Sequence, residues 1–276
     1  MRGSVATEHG RIPSVKDGSR KLANPAPAVT RAAAILDVLA GAGTELTLTD
    51  ISRSLDIAKS STSNLCNALE EAGLIQRRES GNYVLGRKVV QLGGAYLRSF
   101  DIVREFYRLC SASDILAHEL TQLAVLDGTH VLYLARHEGH APLRLSASIG
   151  DRFPASITAV GNILLAQLPP AIVADRFRAP GSFPHWTENS VTTVAALQEK
   201  LAAARERGYS LDIGETNAAV VGLAVLVRPR TSAEEPMGLG ASLFNVEDLE
   251  SRVAEIVGEL RKIADGLSNP MLPPRS

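Results

Sequence analysis

Hydrophobic residues show no periodicity over the first 28 positions, which are rich in Gly, Ser, Pro and charge. Such a segment buries too little apolar surface to order itself, so residues 1–28 read as a flexible tail. Five basic side chains against two acidic leave it a net charge of +3, and a minor-groove arm is the alternative. From Thr30 the pattern tightens. Ile35, Leu36 and Leu39 lie on one helical face, with Thr30 as cap and Gly41 and Gly43 as the stop. Leu46-Thr47-Leu48 alternates. Thr49 can cap a second helix carrying Ile51 and Leu55 one turn apart, and Asp56-Ile57-Ala58 makes a tight corner. A third helix starts at Lys59-Ser60, carries Leu65, Leu69 and Ala72 on one face, and ends at Gly73. Leu74–Arg78 and Tyr83–Leu85 read as strands around the turn Glu79-Ser80-Gly81-Asn82. Three short helices followed by a hairpin outline a winged helix-turn-helix over residues 29–86.

Residues 87–101 keep helical spacing through Val89, Val90, Leu92, Tyr96 and Leu97, and read as a helix joining two domains. Beyond, helices and strands mix from 102 to 269, with a short tail at 270–276. Ile102–Leu120 reads as a helix, and Leu123–Arg136 as a hairpin about Asp127-Gly128, a type I′ signal. Strands are expected at Leu143–Ile149, Ala218–Val227 and Gly238–Phe244. Helices are expected at Ala159–Leu168 and at Val194–Arg207, the latter between a Thr192 or Thr193 cap and Gly208. Leu249, Val253, Ile256, Leu260, Ile263 and Leu267 mark a final helix of period 3.6. Hairpins flanked by helices indicate an α+β, sensor-like domain.

Composition narrows the function. The chain has 276 residues, a net charge of −1 and 4% aromatic residues, which disfavours both a polycation and an extended base-stacking platform. Its longest apolar run, Ala218–Val227, is ten residues. A membrane span needs roughly 17–25. Cys66 and Cys110 are too few for a disulfide framework and fall in helical segments, so they are expected to be reduced core thiols in a cytoplasmic protein. Arg31 and Asp37 break up the apolar stretch near residue 35, which argues against a signal peptide.

The third helix carries the candidate chemistry. Leu65 and Leu69 form an apolar back, and Lys59, Ser60, Ser61, Thr62, Ser63 and Asn64 a small, polar front near the N-terminus, as a major-groove reader requires. Hydroxyls can approach phosphates or base edges, Asn64 can pair with adenine, and Lys59 can reach phosphate or guanine. Arg77, Arg78, Ser80, Gly81 and Asn82 suit a wing on the flanking backbone. Residues 29–88 balance seven basic against seven acidic side chains, which leaves open a purely structural trihelical module. Glu70 and Glu71, however, stand at the far end of the helix. In the second half, Thr158-Ala159-Val160-Gly161 opens a helix whose free N–H groups could hold a carboxylate; equally, Thr158 could cap and Gly161 allow close packing.

Motifs in order along the chain are similar to those of the IclR family of bacterial transcriptional regulators. They are Thr30-Arg31-Ala32, Leu46-Thr47-Leu48-Thr49-Asp50-Ile51, Lys59-Ser60 leading to Leu69-Glu70-Glu71-Ala72-Gly73-Leu74, Tyr83-Val84-Leu85-Gly86 and Leu92-Gly93. Phe153-Pro154, Thr158–Gly161, Leu164-Leu165-Ala166 and Arg207-Gly208-Tyr209-Ser210 with Asp212 and Glu215 continue them. The resemblance implies a winged helix-turn-helix, a linker helix and a GAF-like α/β effector-binding domain. It also implies a dimer or tetramer that acts on double-stranded operator DNA as repressor or activator under a small organic acid.

By the same resemblance Arg31 joins the DNA-contacting set, and Leu145, Phe153, Ala159, Val160, Asp212, Gly222, Ser242 and Phe244 line the effector pocket. Asp212 would bond a ligand hydroxyl or orient amides, and Ser242 would offer its hydroxyl to a carboxylate. The chain departs from the family pattern in Asn162, where a basic residue is frequent, and in Gly222 for a common cysteine. Phe244 replaces a small polar residue, and Asn64 a common arginine. A drier pocket follows, suited to a carboxylate with an apolar or aromatic body rather than a two- or three-carbon acid. No cofactor or metal is implied.

Enzyme readings are thin. His137, Glu138 and His140 lack zincin spacing, and Gly238-Leu239-Gly240 lacks the third glycine of a dinucleotide fingerprint. A small-molecule-metabolising enzyme and a ligand-sensing oligomer that ignores DNA remain as alternatives. Gel-shift and hydrolysis assays on one sample discriminate among the three.

Overall fold

The computed structural model describes residues 26–98, 101–139, 148–231, 234–244 and 248–268. The chain divides into two compact units, Met1–Tyr96 and Leu97–Ser276. The expected tails through 25 and from 270, His140, and the expected strand up to residue 147 lie outside the described residues; Ser148 and Ile149, at the end of that strand, are in no strand.

In the first unit, α1 (Pro27–Ala42) starts three residues before Thr30. Pro27 explains this: its fixed φ suits a first turn, where its missing N–H would have no partner anyway. Thr30 is therefore inside the helix rather than at its cap, which is Ala26, and Gly43 closes α1 at φ 62°. The cap of α2 (Leu48–Leu55) is Thr47 rather than Thr49. Thr47 Oγ1 accepts from the Asp50 N–H at 3.1 Å, while the Asp50 carboxylate accepts from the Thr47 N–H at 3.1 Å. This reciprocal box satisfies two N–H groups that a helix start leaves open. Asp56 turns the corner at φ 52° into α3 (Lys59–Glu71). Strands β1 (Ile75–Arg77) and β2 (Tyr83–Leu85) pair antiparallel, and α4 (Arg87–Arg98) follows. Ile35, Leu39, Ile51, Cys66, Leu69, Ile75 and Tyr83 form the core.

The second unit runs α5 (Asp101–Ser111), β3 (Leu120–Asp127), β4 (His130–Glu138), β5 (Arg152–Pro154), α6 (Ala159–Leu165), α7 (Pro170–Arg176) and α8 (Val194–Arg207). It ends with β6 (Ser210–Ile213), β7 (Val220–Val227), β8 (Met237–Phe244) and α9 (Leu249–Ser268). Helix α5 stops nine residues short of the expected end at Leu120. The intervening turns hold the buried Glu119, which receives Arg252 of α9 at 2.6 Å. Gly128 carries φ 64° in the β3–β4 turn but Thr129 has no positive φ, so the turn is not the expected type I′, which needs both. Thr193 caps α8 and Gly208 ends it at φ 73°, as expected.

Among the described residues the strands of the second unit form one antiparallel sheet in the order β5-β4-β3-β8-β7-β6. Alternate side chains divide between its faces. One face packs Leu123, Val225, Leu239 and Leu243 against Phe106 of α5 and Ile256 and Leu260 of α9. The other receives α6, every residue of which is buried. A bulge between Leu123 and Ala124 leaves Leu134 without an opposite partner, and its effect is a change of phase. Leu134 stays with the first core, and Tyr133, paired with Ala124, turns to the α6 side.

Candidate functional site

Along α3, Thr62, Cys66 and Leu69 recur at helical spacing and face the core. Leu65 is only half-buried, so the apolar back differs by one position from the expected pair. Thr62 is consequently withdrawn from the outward set: it is 0% exposed, and its hydroxyl donates to the Ala58 carbonyl at 3.1 Å. Lys59, Ser60 and Asn64 are exposed and Ser61 and Ser63 half-buried, so these five remain together on the N-terminal half of the helix. Asn67, one turn beyond Ser63 and exposed, extends the polar edge; the helical period alone could have shown it. Arg31 is exposed on α1.

The hairpin is tied down by its own charges. Glu45 lies 3.6 Å from Arg78 Nε and accepts from Ser80 Oγ at 3.0 Å and Asn82 Nδ2 at 3.5 Å. Arg77 donates to the Gly81 carbonyl at 3.3 Å and lies over the Tyr83 ring, 5.8 Å from its centroid. The expected wing residues are thus held in place, with Arg78, Ser80 and Asn82 on Glu45, a residue that sequence reasoning passes over, and Arg77 on Gly81.

In the second unit a cavity of about 240 Å³ lies between α6 and the sheet. Register builds its floor: Asp212 pairs with Gly222 and Gly222 with Ser242, so the three stand in a row across β6, β7 and β8 on one face. Phe153, Ala159 and Val160 complete the expected lining. Of the two remaining expected members, one is not described and the other lies elsewhere. Leu145 lies outside the described residues. Phe244, two residues past Ser242 at the strand end, is 47% exposed and outside the lining. Gln122, Tyr133, Trp186 and Thr216 were missed.

Thr158 and Gly161 are accounted for by local structure. Thr158 Oγ1 accepts from the Gly161 N–H at 3.2 Å and donates to the Pro154 carbonyl at 3.1 Å. A Cβ on Gly161 would come within 2.3 Å of the Ala155 backbone. Both the cap and the close approach are therefore present. Asn162 turns away from the cavity and binds the Ser156 and Thr158 carbonyls at 3.3 and 2.7 Å. Among the described residues the Ala159 and Val160 N–H groups have no acceptor.

Aromatic rings wall one side. Tyr133 and Phe153 meet edge to face at 5.5 Å, and Phe153 and Trp186 at 5.4 Å. Trp186 comes from the α7–α8 connection, which is clipped to the β6–β7 turn. Thr187 Oγ1 donates to the Gly214 carbonyl at 2.6 Å, Asn189 Nδ2 to Ile213 at 3.1 Å, and Ser190 Oγ to Glu215 at 2.8 Å.

Asp212 orients the opposite wall. Its carboxylate accepts from the Glu215 N–H at 2.8 Å and from Thr216 Oγ1 at 3.2 Å. Burial raises its pKa from 3.8 to about 7 against those bonds. Glu215 is also pushed up by burial, and its ion pair with Lys200 opposes the shift. Sequence spacing does not show that Lys200, on α8, pairs with Glu215 beside this site.

The motifs weighed for an enzyme come apart. His137 and Glu138 lie within β4, and among the described residues no group of His, Cys, Asp and Glu could hold a metal. Gly238 and Gly240 lie on β8 beneath Val160, where glycine admits α6 rather than a phosphate. Cys66 and Cys110 are buried and unbridged, and burial pushes the Cys110 thiol up to about 12. No described helix is long and apolar enough to cross a membrane.

Residues 28–79 match the IclR helix-turn-helix domain, and residues 94–269 match the bacterial transcriptional regulator IclR C-terminal domain. The chain is 33% identical over 200 residues to the HTH-type transcriptional regulator XynR of Escherichia coli K12, covering 72% of this chain and 79% of that one. It is also 33% identical over 204 residues to the glycerol operon regulatory protein of Streptomyces griseus, covering 72% and 78%. Among solved structures, the repressor BlcR of Agrobacterium tumefaciens is 30% identical with a TM-score of 0.55, over 88% of this chain and 95% of that one. An IclR homolog from Microbacterium hydrocarbonoxydans, complexed with 4-hydroxybenzoate, is 26% identical with a TM-score of 0.72, over 87% and 97%. With both of its units matched, the chain belongs to the IclR family of bacterial transcriptional regulators.

Proposed function

We propose that Lys59, Ser60, Ser61, Ser63 and Asn64 of α3 read the major groove of operator DNA, with Arg31 and the wing residues Arg77, Arg78 and Asn82 on flanking phosphates. The cavity of the second unit takes a small carboxylate with an aromatic body, and its occupancy sets operator affinity. The cavity lining carries this reading. Three rings stand on one side, and Ser242 with the uncommitted Ala159 and Val160 N–H groups supplies donors for an anion. A volume of about 240 Å³ is below the roughly 300–1,000 Å³ of drug-sized sites, which favours a molecule of about one ring. The Microbacterium relative was solved with such an acid. The aromatic character expected from Phe244 is supplied instead by Tyr133, Phe153 and Trp186.

Ligand changes operator affinity by preferring one of two arrangements of the regulator, and operator DNA changes ligand affinity by the same factor. We infer a dimer or tetramer in the cytoplasm. Exposed Val90, Leu92 and Tyr96 along α4 support self-association, and two unbridged thiols suit a reducing compartment. Calorimetric titration with benzoates and glyoxylate, with and without the regulator's own upstream DNA, tests the whole reading. Binding of aryl acids with a DNA-dependent Kd is expected. Tight glyoxylate binding with no aryl acid bound overturns the ligand class, and equal Kd with and without DNA overturns the coupling. Replacing Lys59, Ser60 and Asn64 together by Ala should abolish the gel shift and leave the oligomer intact.

A further inference from the structure

Gln122 is 6% exposed, lines the cavity from β3, and among the described residues its amide has no hydrogen-bond partner. The amide is not among the polar atoms shut off from solvent, so it opens onto the cavity, where a ligand can supply the partner it lacks within the protein. No packing need explains it. Gln122 pairs with Gly240 on β8, over which Val160 of α6 packs, so the amide stands beside the α6 contact at the cavity. Its neighbour along the same face is Ala124, opposite Tyr133. Tyr133 is 5% exposed, and its hydroxyl likewise has no partner among the described residues. The bulge in β3–β4 is what brings this ring to the cavity side, so two uncommitted polar tips stand on adjacent strands of one wall.

We propose that Gln122 and Tyr133 together read a second polar substituent on the effector, so that the preferred ligand is a hydroxylated aryl acid rather than a plain one. This rests on the cavity being the effector site. A carboxamide offers both a donor and an acceptor, and a phenol does the same. A ligand hydroxyl can therefore donate to one and accept from the other. A carboxylate alone would use only donors, leaving the Gln122 carbonyl oxygen unpaired. An aryl acid without the hydroxyl would leave both tips desolvated and unmatched, which is how a polar site rejects an otherwise isosteric ligand.

Calorimetry with benzoate and the three monohydroxybenzoates on the full chain tests this, using wild type, Gln122→Met and Tyr133→Phe. In the wild type, the best hydroxybenzoate is expected to bind at least about tenfold more tightly than benzoate. Each variant should lose most of that preference, read within each protein as the ratio of hydroxybenzoate to benzoate affinity. Tyr133→Phe removes one oxygen atom, so it decides the matter if Gln122→Met lowers the Tm too far to be titrated. The proposal is overturned if benzoate binds as well as its hydroxylated forms, or if the variants weaken both classes equally; the effector reading survives either result. Failure of every acid to bind the wild type overturns both together.

Discussion

Val160 sits directly over Gly240: a Cβ built on the glycine would come within 2.6 Å of Val160 Cγ1. This contact lets α6 lie against the sheet and fixes the depth of the cavity beside it. Gly240→Ala is therefore expected to overpack the second unit, costing about 1–3 kcal/mol. Val160→Ala in the same chain should recover part of the loss, because the two sites share one contact. Urea unfolding of the two single variants and the double variant checks this. An unshifted midpoint in Gly240→Ala would show that α6 is free to ride higher.

The reciprocal bonds of Thr47 and Asp50 place the cap of α2 at Thr47, one position before Leu48. Thr47→Ala should cost about 0.5–2 kcal/mol, the ordinary loss on removing a capping hydroxyl. Thr49→Ala should be close to neutral. Thermal melts of the two variants distinguish the assignments, and a larger loss from Thr49 would return the cap to that residue.

These two sites also show what a sequence reveals. Local devices were legible wherever one residue type does one job: Thr193 and Gly208 around α8, Asp56 at the corner before α3, and the 3.6-residue period of α9. Thr47 and Thr49 are ambiguous because each stands within two positions of an apolar helix residue, Leu48 or Ile51, and only the Asp50 carboxylate three residues after Thr47 decides between them. Thr62 misled because its hydroxyl suits either water or the Ala58 carbonyl, and helix phase, not residue type, sends it inward. β5 and β6 have three and four residues, too few for a periodic signal. The site residues that were missed depend on non-local events: the bulge that turns Tyr133, and the clip that carries Trp186 across to the β6–β7 turn. Family likeness names Asp212, Gly222 and Ser242 as pocket residues, and strand register is what brings the three into one row.

Asp212 should make both stability and ligand binding depend on pH. Unfolded, it releases its proton near 3.8, whereas burial holds the proton to about 7 in the folded chain. Between those values the native state binds more protons than the unfolded one. Stability should therefore fall as pH rises from 3.8 towards 7 and level off above. The slope from one such group is at most about 1.4 kcal/mol per pH unit. Asp212→Asn should flatten it, leaving a residue of the same sign from Glu215, which is also pushed up by burial. Ionised Asp212 also repels an incoming carboxylate, with Lys200 engaged by Glu215 rather than by Asp212. Acid affinity should accordingly weaken as pH passes 7 in the wild type and change little in Asp212→Asn. A ligand Kd that is flat from pH 5.5 to about 8 in the wild type would remove Asp212 from the binding wall.

The wing offers a test in the opposite direction, a gain of binding. Glu45 draws Arg78, Ser80 and Asn82 onto one carboxylate, so part of the hairpin's positive charge is cancelled before any phosphate arrives. The pair is half exposed and surface ion pairs are weak, so its removal should change stability by less than about 1 kcal/mol. DNA affinity is more sensitive. Glu45→Gln leaves a neutral amide and frees Arg78 for phosphate, and the salt dependence of binding should steepen by about one unit in the log–log plot. Tighter binding should appear on operator and unrelated duplex alike, because a phosphate contact carries no base information. Arg78→Ala in the Glu45→Gln background should return the slope to its starting value. An unchanged slope in Glu45→Gln would mean that Arg78 does not reach the backbone, and the wing's contribution would then fall to Arg77, whose guanidinium lies against Tyr83.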